Sequence, residues 1–228
     1  MGIFQTNRAL EAYIKDYATA IPGPAGGGGT PFPNTYSLDF DGVSDHVNMG
    51  NNFSFTDQMT VSCWIKMRVW KQYENFVTQY NTDGSFLLGQ GIQSIPGSVQ
   101  FAILQSDTTY IVITVNGAAP VSDWFHFVGV ADGSFLRMYV DGVSVGTPVA
   151  YDGTLRTSTD DLYIGGRASN NYYSDGLIDE VAIWEGTGLS AAQVLSLYNS
   201  GTPTDLSSFA VTPLAWYRCG DFGTFFNS

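Results

Sequence analysis

Two glycine-flanked motifs in this chain have the spacing of catalytic or cofactor-binding loops. Gly142-Val-Ser-Val-Gly146 has the spacing of a nucleophile elbow, which needs a strand-to-helix turn and a histidine later in the chain. Both histidines, His46 and His126, come earlier, and the segment alternates like a strand. Gly186-Thr-Gly-Leu-Ser-Ala191 has the spacing of a dinucleotide-binding loop, but its helix is short and no βαβ unit follows. Neither motif predicts chemistry.

The acidic residues do not predict a glycosidase. Retaining glycosidases place two carboxylates about 5 Å apart, which on one strand face means positions i and i+2 or i+4. Asp179 and Glu180 are adjacent, so their side chains are expected on opposite faces, and Glu185 lies at the end of the strand. No cysteine and histidine cluster has zinc spacing. We therefore expect no enzymatic activity, and a glucanase is the least favoured of the functional classes.

Composition excludes several partners. The 228 residues contain 9 Lys and Arg against 21 Asp and Glu, a formal net charge of −12. So few cations cannot build the basic face that nucleic acid or anionic lipid requires. No apolar stretch is long enough to span a membrane. The chain is expected to bind no nucleic acid and to insert in no membrane.

Residues 1–21 do not resemble a signal peptide, because charged side chains occur where its apolar region would be. Export is therefore not predicted. Cys63 and Cys219 can form at most one internal disulfide. Two free, buried thiols are the favoured alternative when no export signal is present.

Aromatic and amide side chains fall in or beside predicted loops. Aromatic faces can stack on pyranose rings, and amides can hydrogen-bond to hydroxyls. The alternative for each ring is packing over a sheet edge. The candidates for glycan binding are Trp70, Tyr73, Tyr110, Asn170, Asn171, Tyr172 and Tyr173.

The elements that must position these residues are mostly strands. From residue 36 onward the apolar pattern has period two, and Asp-Gly or Asn-Gly dipeptides separate the runs, which predicts an all-β sandwich or barrel. One short helix is predicted over 191–198, with Ser190 and Gln193 as a capping box. Candidate strands lie at 36–40, 46–49, 61–65, 76–80, 86–90, 99–104, 110–115, 125–131, 135–140, 143–147, 162–165 and 176–184.

The first 35 residues differ from the rest. Residues 1–21 are predicted to form an N-terminal amphipathic helical arm, followed by a Pro/Gly linker over 22–35. A helix of this length is marginal alone and must bury its stripe, either on a particle, on another copy of the chain, or on its own body. The stripe of this anchoring helix consists of Leu10, Tyr13, Ile14, Tyr17 and Ile21.

Several segments in order resemble the laminin-G-like and concanavalin A-like jelly rolls of the pentraxin-related group. These segments are Ser37-Leu-Asp-Phe-Asp-Gly42, Met59-Thr-Val-Ser-Cys-Trp-Ile-Lys66, Trp124-Phe-His-Phe-Val128, Met138-Tyr-Val-Asp-Gly-Val143, Leu162-Tyr-Ile-Gly-Gly166 and Asp175-Gly-Leu-Ile-Asp-Glu-Val181. In addition, Leu214-Ala-Trp-Tyr-Arg-Cys-Gly-Asp221 resembles a segment of bacteriophage and environmental viral members.

The resemblance implies a two-sheet antiparallel jelly roll over 36–201, with a C-terminal extension over 202–228. Members often hold a calcium ion, which takes six to eight oxygen ligands. If the terminal strands pair as the resemblance implies, Asp41 at the first turn and Asp179 on a closing strand could meet, with Asp45 as a further ligand. The alternative is that Asp41 and Asp45 make turns and Asp179 caps a loop.

Together these features predict a non-catalytic virion surface protein, either a capsid decoration or a tail component. Its arm would bind other structural proteins of the particle or another copy of itself as a homo-oligomer, and its jelly roll would contact cell-surface glycans. It would be made in the host cytoplasm and released by lysis. The alternative is a soluble or exported lectin-like module that belongs to no virus particle.

Overall fold

The computed structural model of this protein describes residues 34–80, 84–91, 95–167 and 171–219. Within them it confirms the all-β prediction of two antiparallel sheets packed face to face, with one short helix near the C-terminal end. The predicted helical arm, with its stripe from Leu10 to Ile21, lies outside the described residues. No helix among them is long and apolar enough to cross a membrane.

Sheet A has seven strands. They are β1 (Leu38–Asp41), β3 (Met59–Val69), β8 (Phe125–Ala131), β9 (Phe135–Val140), β10 (Val143–Ala150), β12 (Asp175–Glu185) and β13 (Ala215–Tyr217). Their order is β1-β12-β3-β8-β9-β10, and β13 also pairs with β12, which has β3 on its other side. The predicted pairing of the first strand with a closing strand is thus confirmed by β1 and β12.

Sheet B has six strands, in the order β2-β11-β4-β5-β6-β7. They are β2 (Val47–Asn48), β4 (Asn75–Gln79), β5 (Phe86–Gln90), β6 (Val99–Leu104), β7 (Tyr110–Val115) and β11 (Tyr163–Ile164). Alternation along each strand divides the sheet into two faces. Val99, Phe101 and Ile103 of β6 enter the core between the sheets, so Gln100 and Ala102 belong to the outer face.

The two sheets meet closely at the centre of the core. Gly129 of β8 faces Phe101 of β6, and a Cβ atom at Gly129 would lie 2.6 Å from the phenyl ring. A side chain at this position would therefore force the sheets apart. The glycine explains how β8 can be fully buried while a phenylalanine fills the layer beneath it.

The outer face of sheet A is covered by a helix and the chain that follows it. Helix α1 (Ala191–Tyr198) begins at the predicted capping box, in which Ser190 accepts a hydrogen bond from the Gln193 backbone N–H. It ends where predicted, and its C-cap Asn199 has a left-handed conformation (φ 49°). An outer cluster buries side chains of α1, the C-terminal segment and sheet A: Val128, Val130, Tyr139, Ala182, Trp184, Leu189, Val194, Leu197, Leu206 and Trp216.

The body extends past the predicted boundary at residue 201. Strand β13, which the sequence pattern did not predict, pairs with β12 through Val181 and Tyr217. Trp216 of β13 is 1% exposed and belongs to the outer cluster. Residues 202–219 therefore complete sheet A, and are not merely an extension attached to it.

Cys63 and Cys219 are both free and buried, as favoured from the sequence. Burial raises the pKa of each thiol well above its ordinary value. A buried thiol with a raised pKa is protonated and unreactive at neutral pH, so both cysteines serve as small core side chains.

Candidate functional site

Two of the predicted glycan contacts are core residues. Trp70 follows β3, stacks on Phe125 with ring centroids 6.1 Å apart, and donates its indole N–H to the Val121 carbonyl. Tyr173 is 9% exposed and lies against His46 at 5.8 Å. The prediction is corrected for both, because each ring is buried against its aromatic neighbour and is not open to a sugar. Asn171 is exposed in a turn (φ 56°), and Asn170 lies outside the described residues.

The other three predicted rings form one continuous structure, which we call the aromatic stripe. It consists of Tyr73, Tyr172, Arg167, Tyr80 and Tyr110. The rings of Tyr73 and Tyr172 are 5.0 Å apart. The guanidinium carbon of Arg167 lies 5.0 Å from the Tyr172 ring and 5.0 Å from the Tyr80 ring, and Tyr80 lies 6.4 Å from Tyr110.

The stripe crosses the outer face of sheet B because the described parts of the connection between β11 and β12, residues 165–167 and 171–174, lie against β4. Gly165 donates to the Phe76 carbonyl of β4 at 2.9 Å. The Asn75 backbone N–H then donates to the Tyr172 carbonyl at 3.4 Å. Between these two anchors, Nη1 of Arg167 donates to the Tyr80 carbonyl at 3.0 Å. Tyr110, the first residue of edge strand β7, ends the stripe and is 46% exposed.

Arg167 is the structural centre of the stripe. Its side chain is buried, with its guanidinium between two tyrosine rings. Burial lowers the pKa of this guanidinium, and the neighbouring tyrosines act in the opposite direction. Cation–π contact on both faces compensates part of the lost hydration. The arginine thereby fixes the distance between Tyr80 and Tyr172.

A row of polar side chains crosses the same face next to the stripe. The strand register aligns Asn75, Gly89, Gln100 and Thr114 on four adjacent strands. Asn75 Oδ1 and Gln100 Oε1 are buried and have no hydrogen-bond partner in the part of the chain that the structure describes. An unsatisfied buried acceptor is costly. Because neither oxygen has accessible surface, a ligand lying on this face does not reach them, and an enclosed water is the partner that suits them.

Glu74 clamps together the two segments that carry Tyr73 and Tyr172. One carboxylate oxygen accepts from the Lys71 backbone N–H at 2.9 Å, and the other accepts from the Asp175 N–H at 3.2 Å. The side chain is fully enclosed, and burial raises its pKa to about 8. Both backbone hydrogen bonds favour the charged form, so desolvation is the dominant effect.

The predicted calcium ligands do not converge. Asp41 and Asp45 are close, because Asp41 Oδ1 accepts the Val43, Ser44 and Asp45 N–H groups in a turn, while Asp45 Oδ2 accepts the Asp41 N–H. The register places Asp175 opposite Asp41 and Ile178 opposite Leu38.

Asp179 therefore lies about 13 Å further along β12, at ~3.3 Å per residue, where it is buried and accepts from Asn34 Nδ2. Within the described residues no group of three or more His, Cys, Asp or Glu side chains is arranged to hold a metal ion. The predicted three-carboxylate set does not fit calcium in this geometry. Calcium binding stays a prediction from the family resemblance alone.

Asp179 and Glu180, which were considered as a catalytic pair, make structural hydrogen bonds. A bulge in β12, with Glu180 at φ 48°, separates the two neighbouring acids. Glu180 accepts hydrogen bonds from the Trp216 indole and, at 3.2 Å, from Arg218 Nε. Ser144 lies in the exposed strand β10, not at a strand-to-helix turn. His126 contacts Ser62 Oγ at 2.7 Å, but both side chains are buried on the outer face of sheet A, where His126 packs against Tyr198 of α1.

Sequence reasoning missed Tyr80, Arg167, Asn75 and Gln100. Tyr80 and Gln100 stand at outward positions of correctly predicted strands, so alternation could have assigned their face. Arg167 and Asn75 had no such signal, because their roles depend on how the β11–β12 connection folds over β4.

A family model described as the Concanavalin A-like lectin/glucanases superfamily matches residues 41–195 of this chain. The matched region begins at the end of β1 and ends within α1, and so contains every member of the aromatic stripe and of the polar row. The sequence has no significant match among curated proteins.

Several solved structures are similar in fold. Domain 4 of AbnA, an extracellular GH43 arabinanase from Geobacillus stearothermophilus, solved with arabinotriose, has a TM-score of 0.57 at 18% identity, covering 85% of this chain and 94% of that one. A Bacteroides ovatus protein proposed to bind carbohydrate has a TM-score of 0.62 at 16% identity, covering 84% and 53%.

The botulinum neurotoxin serotype D ligand-binding domain, solved with N-acetylneuraminic acid, has a TM-score of 0.53 at 14% identity, covering 81% and 46%. The chain thus spans about half the length of the last two proteins. At sequence identities this low, the structural similarity establishes a shared fold and nothing about function.

Proposed function

Because this chain belongs to the Concanavalin A-like lectin/glucanases superfamily, we propose that it is a non-catalytic, lectin-like module that binds carbohydrate along the outer face of sheet B. The observation that carries the proposal is the aromatic stripe. Four tyrosine rings on one face, held by a buried arginine, offer the flat apolar surfaces on which sugar rings stack. Of the adjacent polar row, Thr114 is exposed, and its hydroxyl can hydrogen-bond to a sugar.

The ligands of two proteins with a similar fold support this proposal. One was solved with arabinotriose and the other with N-acetylneuraminic acid. The acids of β12 support the absence of catalysis. Asp179 and Glu180, which come closest in sequence to a glycosidase pair, are hydrogen-bonded to Asn34, Trp216 and Arg218. They lie on sheet A, away from the stripe.

The test is oligosaccharide binding by the full chain, screened on a glycan array and quantified by calorimetry. Tyr110→Ala and Tyr172→Ala should each raise Kd by about three- to tenfold, the equivalent of one aromatic contact. Tyr36→Ala is the matched control, because Tyr36 is a similarly exposed tyrosine (39%) outside the stripe. Absence of any binding, or an equal loss in the Tyr36 variant, would refute the proposal.

Placement on a virus particle stays a prediction of the sequence. It rests on the arm, on the linker and on the segment that resembles viral members, and the fold neighbours do not bear on it. Contact with other particle proteins, self-association through the arm and release by lysis belong to the same prediction. Deleting residues 1–33 and measuring incorporation into particles tests it, and full incorporation of the shortened chain would contradict it.

A further inference from the structure

Resting on the proposed function, we infer that the ligand is an uncharged, extended oligosaccharide and not an acidic sugar bound singly. The two kinds of ligand place different demands on a site. An extended neutral chain needs several ring contacts in a row and hydrogen-bond acceptors for its hydroxyls. A carboxylated sugar needs an accessible cation or a group of N–H donors.

The length of the stripe favours several sugar units. It runs from Tyr73, before β4, to Tyr110 at the edge strand, in four contacts of 5.0 to 6.4 Å. A single pyranose covers about one aromatic ring. Only an oligomer can therefore contact both Tyr172 and Tyr110, which stand on opposite sides of Tyr80 and Arg167.

The cation within the stripe is not offered to a carboxylate. Arg167 is 5% exposed, its two faces are occupied by Tyr80 and Tyr172, and its Nη1 donates to the Tyr80 carbonyl. Because the side chain is this enclosed, little of the N–H edge that a ligand carboxylate would need is open at the surface. The arginine therefore spaces the rings and does not recognise an anion.

Several other cations of the described residues are neutralised locally. Arg68 contacts Asp39 and Asp175, and Lys71 also contacts Asp175. Arg137 pairs with Asp132 and Arg218 with Glu180, in each case through Nε. With a net charge of −12, the chain repels an anionic ligand at long range.

The experiment is calorimetry with the full chain against two series of probes. The neutral series is arabino-, xylo- and cello-oligosaccharides of one to six units, and the acidic series is oligogalacturonides of the same lengths with sialyllactose. We expect affinity for at least one neutral series to rise at least tenfold from one to four units, without salt dependence. We expect no detectable binding of the acidic series at low or high salt.

Two outcomes overturn the inference while leaving carbohydrate binding in place. One is tighter binding of an acidic probe that weakens with salt and with Tyr110→Ala. The other is equal affinity for one unit and for six. Failure of every probe, together with an empty glycan array, would instead remove the proposed function and this inference with it.

Discussion

At the scale of single residues, Glu74 holds the two ring-bearing segments together at an electrostatic cost. Its pKa is raised to about 8 from an ordinary value of 4.5. Between those pH values the unfolded chain releases a proton that the folded chain keeps. The free energy of unfolding must therefore fall as pH rises toward 8, and level off above it. Lys71 and Asp175 are the charged groups that face this carboxyl.

Glu74→Gln should flatten this pH dependence. The comparison is made between pH 6.5 and about 8, where the His126 imidazole, whose pKa burial lowers from 6.5 to about 3, takes up protons only in the unfolded chain and does so equally in the wild type and the variant. Urea unfolding across the window should show a free energy of unfolding that falls with pH more steeply in the wild type than in the variant. Glu185→Gln, an exposed glutamate at the end of β12, is the control. An unchanged slope in the Glu74 variant would contradict the assignment.

Gln100 is expected to lower the stability of the fold. Gln100→Leu removes a buried acceptor without a partner among the described residues, and should raise the free energy of unfolding by about 1 kcal/mol. The control is Gln105→Leu, since Gln105 Oε1 accepts from the Asp152 N–H at 2.8 Å and its loss should destabilise the fold. A destabilised Gln100 variant would mean that the oxygen already has a partner, such as a bound water.

At the scale of elements, helix α1 depends on its first turn. Ser190 and Gln193 satisfy each other's backbone N–H groups, and no acidic side chain in the first turn shares this task. Ser190→Ala should lower the free energy of unfolding by about 1 kcal/mol, measured by urea denaturation. Ser196→Ala, at an exposed position within the helix, should change it by less than about 0.5 kcal/mol. Equal effects of the two substitutions would argue against the cap.

The strands of both sheets could be predicted because alternation and Asp-Gly turns are local signals. Strand β13 could not, since three residues with two aromatics show no period, and it becomes a strand only by pairing with β12. The convergence of Asp41 and Asp179 failed for a related reason. Pairing of their strands was predictable, but register decides which residues are opposite, and Asp175 takes that place.

The candidate site was predictable only in part. Tyr73, Tyr110 and Tyr172 were found because rings beside loops are an available signal. Trp70 gives the same signal but fills the core. What separates them is the packing of Arg167 on Tyr80, a tertiary contact with no local pattern.

At the scale of the whole molecule, the C-terminal residues are part of one cooperative body. Trp216 buries its ring in the outer cluster and donates its indole N–H to Glu180. A chain ending at Gly201 would expose Trp184 and leave the buried Glu180 without Trp216 and Arg218. Loss of a buried partner of this kind typically costs 3–5 kcal/mol.

We expect the chain ending at Gly201 to lose cooperative thermal unfolding or to melt at a much lower temperature by circular dichroism. A chain ending at Cys219 retains every C-terminal residue that the structure describes, and should melt like the full sequence. Equal melting temperatures for all three chains would show that residues 36–201 are a complete domain.

The covering of sheet A by α1 and the C-terminal segment has a consequence for valency. A ligand stacked on Tyr110 and Tyr172 meets the molecule from the side opposite to this cover. One copy therefore presents a single face and cannot cross-link two glycan chains through its two sheets. Tight attachment to a glycan-coated surface would require several copies displayed in parallel, with avidity set by their spacing.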